Sequence, residues 1–126
     1  NDKNATITTP NISLTFTMKK KLEEIKVTGM DKYIKGHKER QEYVRKELTT
    51  LGFEMYVKDL HASKTVTCIR NNKGIALKEV QEKMRLEGFE LANGYGELRN
   101  QTFRIGHMGL SFEETKKAIE AFKRVI

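Results

Sequence analysis

With 126 residues, the sequence has the length of one domain, and folding at this size buries about two-thirds of the surface that the unfolded chain exposes. Hydrophobic residues make up 37% of the sequence and charged residues 33%, which is typical of a globular protein in water. No apolar run is long enough to span a membrane and no signal peptide is visible, so we expect a cytoplasmic protein. The start at Asn1–Asn4, without an initiator methionine, is interpreted as a cut within a longer protein, with processing of the chain as an alternative.

The net charge of +7 raises the question of nucleic-acid binding, because basic surfaces bind polyanions. Basic residues nevertheless alternate with acidic ones along Lys19–Glu24 and Lys38–Glu42. This alternation is typical of a solvated helical face. We therefore interpret the charge as a contribution to solubility.

Cysteine and histidine give little sign of metal or redox chemistry. Cys68 is the only cysteine, so it forms no internal disulfide, and its strand-like surroundings predict a buried structural thiol in a reducing compartment. The three histidines, His37, His61 and His107, are scattered and lack cysteine or carboxylate neighbours at ligand spacing. We expect no metal site.

Two long helices are predicted after an irregular arm at Asn1–Thr9. Thr9 and Pro10 resemble an N-cap followed by proline in the first helical position. The apolar stripe of the first helix ends near Gly29, a suitable C-terminal glycine. The second helix is expected from about Asp31 to Leu51, with Gly52 closing it. The members of the first stripe are Leu14, Met18, Leu22 and Ile25.

The rest of the chain alternates strand and helix signals. Residues 53–57 and 66–70 read as strands, a turn signal follows at 71–74, and a helix is expected over about 76–87. Residues 89–92 and 102–105 read as two further strands around the glycine loop Asn93-Gly94-Tyr95-Gly96, which we expect to be mobile. The last helix begins at Ser111, which forms a capping box with Glu114. The order after residue 52 is thus ββαββα, which predicts an α+β fold with a small, mostly antiparallel sheet and helices on one face.

Alternation along the last strand puts Phe103 and Ile105 on one face and Thr102 and Arg104 on the other. Arg104 is therefore predicted to project away from the core. An arginine in this position is compatible with an ordinary surface ion pair. It also suits a carboxylate ligand, because the planar guanidinium offers two parallel charge-assisted hydrogen bonds.

The sequence FRIGHMG, preceded by ELANGYGEL, resembles the C-terminal small domain of class V pyridoxal-phosphate aminotransferases of fold type I, the alanine/serine–glyoxylate aminotransferase group. The resemblance implies that Arg104, in the RIG sequence, binds the α-carboxylate of the substrate. It also implies that the glycine loop lies along the substrate entrance, with Tyr95 close to bound ligand and with His107 and Met108 near the same site. A plain loop and fold-stabilising side chains remain the alternatives for these three residues.

The segment TTPNISLTFTMKKKLEEI is similar to the family's Thr-x-Pro-x-x-Ser-Leu segment, which enters the helix that links the large and small domains. By this resemblance Thr8 contacts the cofactor phosphate of a neighbouring subunit, which implies a homodimer. Ala5 stands where those family members have a phosphate-binding tyrosine, and a turn residue is the alternative for Thr8. The implied organisation is an arm and linker helix over 1–29 and the small domain over 30–126.

Pyridoxal phosphate chemistry needs a lysine that forms the Schiff base, and in the family this lysine belongs to the large domain. No lysine of this sequence lies in that motif, so we assign no catalytic residue and expect the chain alone to be inactive and to bind no cofactor. The resemblance implies a full-length enzyme that transfers an amino group between an amino acid and a 2-oxo acid such as glyoxylate or pyruvate. The alternative is a stand-alone basic α+β module that binds RNA or a protein partner.

Overall fold

The computed structural model of the chain describes residues 11–126. The chain divides into two compact units, Asn1–Ile34 and Lys35–Ile126, and the second contains the sheet and the apolar core. No helix in residues 11–126 is long and apolar enough to cross a membrane. The predicted arm at Asn1–Thr9 and the helix start at Thr9 and Pro10 lie outside the described residues.

The first helix, α1, is Ile12–Thr28. It begins at Asn11, whose side-chain Oδ1 accepts a hydrogen bond from the backbone N–H of Leu14 at 2.9 Å. It ends at Gly29, where a φ of 85° favours glycine. No residue of α1 is buried, and the predicted apolar stripe is more than half exposed at Leu14, Met18 and Leu22.

The second helix, α2, is Met30–Thr50, one residue earlier at both ends than the sequence predicts. Within Lys35–Ile126 it buries one face against the core, while Gly52 follows it with a φ of 82°. The buried residues of α2 are His37, Gln41, Val44 and Leu48.

A three-stranded antiparallel sheet forms the centre of the second unit. Its strands are β1, Val66–Arg70; β2, Ala92–Asn93; and β3, Thr102–Gly106. The spatial order is β1-β3-β2, so β3 is the middle strand and pairs with both neighbours. This sheet and the α-helices of residues 11–126 confirm the predicted α+β fold.

The strand predicted over 53–57 is present only as an isolated bridge between Met55 and Ile69. Its first two backbone N–H groups are used elsewhere. The Phe53 N–H donates to the Leu48 carbonyl at the end of α2, and the Glu54 N–H donates to the side chain of Asn72. The segment therefore runs beside β1 without forming a regular strand.

The strand predicted over 89–92 is also wrong in position, because β2 begins only at Ala92. The carbonyl of Leu91 accepts a hydrogen bond from the Gln81 side chain at 2.8 Å. Leu91 itself is 5% exposed and packs into the apolar core. This stretch therefore turns toward the helices before it pairs with β3.

Two further helices cover the core face of the sheet: α3, Leu77–Leu86, and α4, Phe112–Val125. The capping box at the start of α4 is present, since the Ser111 side chain accepts from the Glu114 N–H at 3.1 Å and the Glu114 carboxylate accepts from the Ser111 N–H at 2.7 Å. The core centres on three aromatic rings that contact one another with centroids 5.4 to 5.8 Å apart: Phe53, Phe103 and Phe122.

We expect a Phe103→Ala substitution to lower the free energy of unfolding by about 3–5 kcal/mol, since it removes a fully buried ring and leaves a cavity. Urea unfolding followed by circular dichroism measures this change. Tyr95→Ala is the matched control, because Tyr95 is 85% exposed and its loss should change the unfolding free energy by less than about 0.5 kcal/mol. Similar effects of the two substitutions would show that Phe103 does not anchor the core.

Candidate functional site

Arg104 lies in the middle strand of the sheet, on the face opposite Phe103 and Ile105, as the alternation predicts. It pairs with Cys68 on β1 and with Ala92 on β2. Both neighbours are small, so the arginine is the only long side chain in this row. The guanidinium therefore has room to extend across the sheet toward β2.

The Arg104 guanidinium is fixed by one backbone contact. Its Nε donates a hydrogen bond to the carbonyl oxygen of Asn93 at 3.0 Å, from the adjacent strand β2. Among residues 11–126 no carboxylate lies within ion-pair distance of Arg104, and its two terminal nitrogens make no hydrogen bond to the protein there. The side chain is half-buried, so it is a partly desolvated cation without an internal counter-ion.

The loop between β2 and β3 is closed by its own hydrogen bonds. The Gly94 N–H donates to the Thr102 carbonyl at 2.9 Å, and a short 3₁₀ turn forms over Gly96–Leu98. A side chain at position 94 would not fit, because its Cβ would lie 2.1 Å from the Leu98 carbonyl oxygen. The glycines of this loop allow a tight turn, at whose edge Tyr95 is exposed.

A cavity of about 600 Å³ opens beside Arg104, where the chain before β2 diverges from β3. Its lining is mainly apolar and includes Phe89 and Leu91 from one side and Ile105 from the other. Met108, which follows β3, also lines it and is 69% exposed. Arg104 therefore borders a mainly apolar cavity within the second unit.

His107 belongs to the fold and does not face the cavity. It is fully buried, and its Nε2 lies 3.1 Å from the hydroxyl of Thr67 on β1, whereas its Nδ1 is buried without a hydrogen-bond partner in the described chain. Arg40 of α2 lies nearby, with its Nε donating to the His107 carbonyl at 3.2 Å and its Nη2 2.9 Å from His37 Nδ1. Burial, followed by repulsion from Arg40 and His37, lowers the pKa of His107 from 6.5 to about 4.

The described residues do not fit a complete pyridoxal phosphate site. A lysine that forms a Schiff base lies in a protected pocket with its amine partly desolvated. The lysines of residues 11–126 are exposed, apart from Lys116 and Lys123, which are half-buried and ion-paired with glutamates. The Glu120 and Glu47 carboxylates raise the pKa of Lys123, which keeps it protonated.

Thr8, expected to contact the cofactor phosphate, lies outside the described residues. Within residues 11–126 no group of three or more histidine, cysteine, aspartate or glutamate side chains is arranged to hold a metal ion. The site that the structure describes is therefore Arg104 with its loop and cavity.

No family model matches the sequence. Among curated proteins, the chain is 27% identical over 126 residues to a soluble hydrogenase small subunit of Synechococcus sp. (strain PCC 6716), covering 98% of this chain and 33% of that protein. It is 28% identical over 114 residues to an uncharacterized aminotransferase of Methanocaldococcus jannaschii, covering 90% of this chain and 30% of that protein. The chain thus spans about a third of the length of these relatives.

Solved structures give a clearer result. The alanine–glyoxylate aminotransferase of Nostoc sp. superposes with a TM-score of 0.86 at 24% identity, covering 99% of this chain and 34% of that one. The pyridoxamine–pyruvate aminotransferase of Mesorhizobium loti gives 0.77 at 22% identity, covering 98% and 38%. The resemblance is thus confirmed: the chain has the fold of the C-terminal region of class V aminotransferases. Nothing in these comparisons supports the alternative of an RNA-binding or protein-binding module.

The buried His107 predicts a specific acid sensitivity. Its pKa is lower in the folded chain than in the unfolded one, so its contribution to stability is complete above pH 6.5 and is lost as the pH falls toward 4. For a shift of this size the loss is up to roughly 3 kcal/mol. Urea unfolding between pH 7 and pH 4 should show a shallower decline for His107→Gln than for the parent chain.

The exposed His61 supplies the control, and His61→Gln should keep the parent's decline. Burial and Arg40 also lower the pKa of His37, so part of the decline remains in the His107 variant. An identical pH dependence in the parent and in His107→Gln would contradict the assignment.

Proposed function

We propose that this chain is the part of a pyridoxal-phosphate-dependent aminotransferase that binds the substrate carboxylate, and that Arg104 is the residue that binds it. The observation that carries the proposal is the state of Arg104: a half-buried guanidinium, held at Nε and without a carboxylate partner in residues 11–126. An unpaired, partly desolvated arginine is costly unless an anion binds it. A substrate carboxylate would satisfy both terminal nitrogens at once.

The surroundings of Arg104 suit an α-carboxylate. The small neighbours Cys68 and Ala92 leave the sheet face open above the guanidinium. The mainly apolar cavity beside it offers space for the rest of a small substrate. Fixing the carboxylate orients the rest of the substrate, and orientation is how such a contact increases the rate.

Class V aminotransferases depend on pyridoxal phosphate, which when bound accepts the amino group and stabilises the carbanion that develops at the α-carbon. The described residues of this chain would not hold the cofactor. Its Schiff-base lysine belongs, in this proposal, to the remaining two-thirds of the length seen in the relatives. The role left to this chain is to bind and orient the substrate.

The finer features of the proposal follow the same resemblance. The substrates are an amino acid and a 2-oxo acid, with glyoxylate or pyruvate as the acceptors suggested by the names of the structural relatives. The enzyme is a cytoplasmic homodimer in which Thr8 approaches the cofactor phosphate. Residues 1–29 form the arm and linker helix, and residues 30–126 form the small domain.

The test uses the complete reading frame that encodes this sequence, with transamination of alanine and glyoxylate as the first assay. Arg104→Lys should raise the KM of the 2-oxo acid by about 10- to 100-fold and lower kcat/KM, because lysine cannot form the paired hydrogen bonds of the guanidinium. Steady-state kinetics measures both constants.

Arg99→Lys is the matched control, because Arg99 is an exposed arginine of the same loop region. It should leave both constants within about twofold of the parent, as expected for a surface residue. Unchanged kinetics in Arg104→Lys, or an equal change in Arg99→Lys, would refute the carboxylate role.

A further inference from the structure

The Nε of Arg104 is bound to a main-chain carbonyl, so the position of the guanidinium depends on the position of Asn93. Asn93 is the last residue of β2, a strand of only two residues, and pairs with Phe103 across the ladder. A strand of two residues by itself holds the backbone of Asn93 only weakly. Something else must hold the Asn93 carbonyl in place.

The side chain of Asn93 forms a reciprocal pair with Asn100, at the far end of the loop. Asn93 Nδ2 donates to Asn100 Oδ1 at 2.8 Å, and the Asn100 N–H donates to Asn93 Oδ1 at 2.8 Å. The same oxygen accepts from the Gly94 N–H at 2.8 Å. One asparagine side chain thus joins both ends of the loop.

The backbone of Asn100 suits this pairing. Its φ of 66° lies in the left-handed region, which asparagine tolerates better than most residues with a Cβ. That conformation turns both its N–H and its side-chain oxygen toward Asn93. The tight approach of Gly94 to the Leu98 carbonyl closes the loop from the other side.

We propose that Asn93 and Asn100 are the positioning residues of the arginine site, and that they hold the guanidinium so that only its two terminal nitrogens face the ligand. The inference rests on the proposed function for the identity of that ligand. Because Nε is engaged by the Asn93 carbonyl, a carboxylate binds end-on, through Nη1 and Nη2, and not side-on through Nε. The pair acts through Arg104 and does not touch the substrate.

The position of Arg104 can be measured without substrate. In side-chain arginine NMR spectra of the ¹⁵N-labelled 126-residue chain, the Nε–H signal of Arg104 is identified by its loss in Arg104→Lys. Its hydrogen exchange reports the bond to the Asn93 carbonyl. Asn93→Ala removes three hydrogen bonds of the loop, whereas Asn100→Gly removes only one acceptor and keeps a residue that accepts a positive φ.

We expect both substitutions to accelerate exchange of the Arg104 Nε–H by about 10-fold, the factor that corresponds to one ordinary hydrogen bond. Asn100→Asp keeps the side-chain oxygen that accepts from Asn93, so exchange of the Arg104 Nε–H should be as slow as in the parent chain. Asn72→Ala is the matched control, because the Asn72 side chain also joins two backbone groups, those of Gly52 and Glu54. It should leave the signal unchanged.

Unchanged Nε–H exchange in Asn100→Gly, with a folded backbone spectrum, would overturn the inference. Equal acceleration in Asn72→Ala would overturn it too, since the effect would then be general loosening. A functional readout completes the test: in the complete protein Asn100→Gly should raise the KM of the 2-oxo acid several-fold, whereas Asn72→Ala should leave it unchanged.

The two proposals fail in different ways. Suppose that Arg104→Lys leaves the kinetics unchanged while the Asn93 and Asn100 variants still accelerate exchange of the Arg104 Nε–H. The carboxylate role is then wrong, and the positioning role of Asn93 and Asn100 is retained. If Arg104→Lys raises KM but the Asn93 and Asn100 variants leave exchange of the Arg104 Nε–H unchanged, the carboxylate role is retained and the positioning inference is wrong.

Discussion

The structure of the second unit depends on the alternation of side chains along β3. Because successive residues of a strand point to opposite faces, Phe103 and Ile105 can anchor the core only if Arg104 points away from it. A shift of register by one residue would turn Phe103 out of the core and bury a charged guanidinium against Phe53 and Phe122, at a large free-energy cost. The same alternation along β3 therefore buries the core residues and directs Arg104 to the opposite face of the sheet.

Much of the fold could be predicted because the relevant signals are local. The capping box of Ser111 and Glu114 sets the start of α4, and glycines with positive φ follow the ends of α1, α2 and α3. The two wrong strand positions result from competing hydrogen bonds. Phe53 and Glu54 give their N–H groups to a helix end and to a side chain, and the carbonyl of Leu91 is taken by Gln81. Periodicity along the chain does not reveal such competition for hydrogen bonds.

Only part of the candidate site could be predicted from the sequence. The face of Arg104 follows from the period of two, so its direction could be predicted. The proposed roles of Asn93 and Asn100 could not be predicted, because their pairing depends on the left-handed backbone conformation of Asn100 and on closure across the loop. His107 shows the opposite case: it belongs to the FRIGHMG motif in sequence, yet its side chain points into the interior and contacts Thr67.

The close approach of the chain at Gly94 limits how this loop can evolve. Any side chain there collides with the Leu98 carbonyl and with the Thr102 hydroxyl, at 2.1 and 2.5 Å from the new Cβ. Neighbouring positions such as Tyr95 and Arg99 are exposed, so packing places no comparable limit on their side chains. Related sequences should therefore vary around an unchanging glycine, and the outer surface of the loop can diversify while its backbone course is inherited.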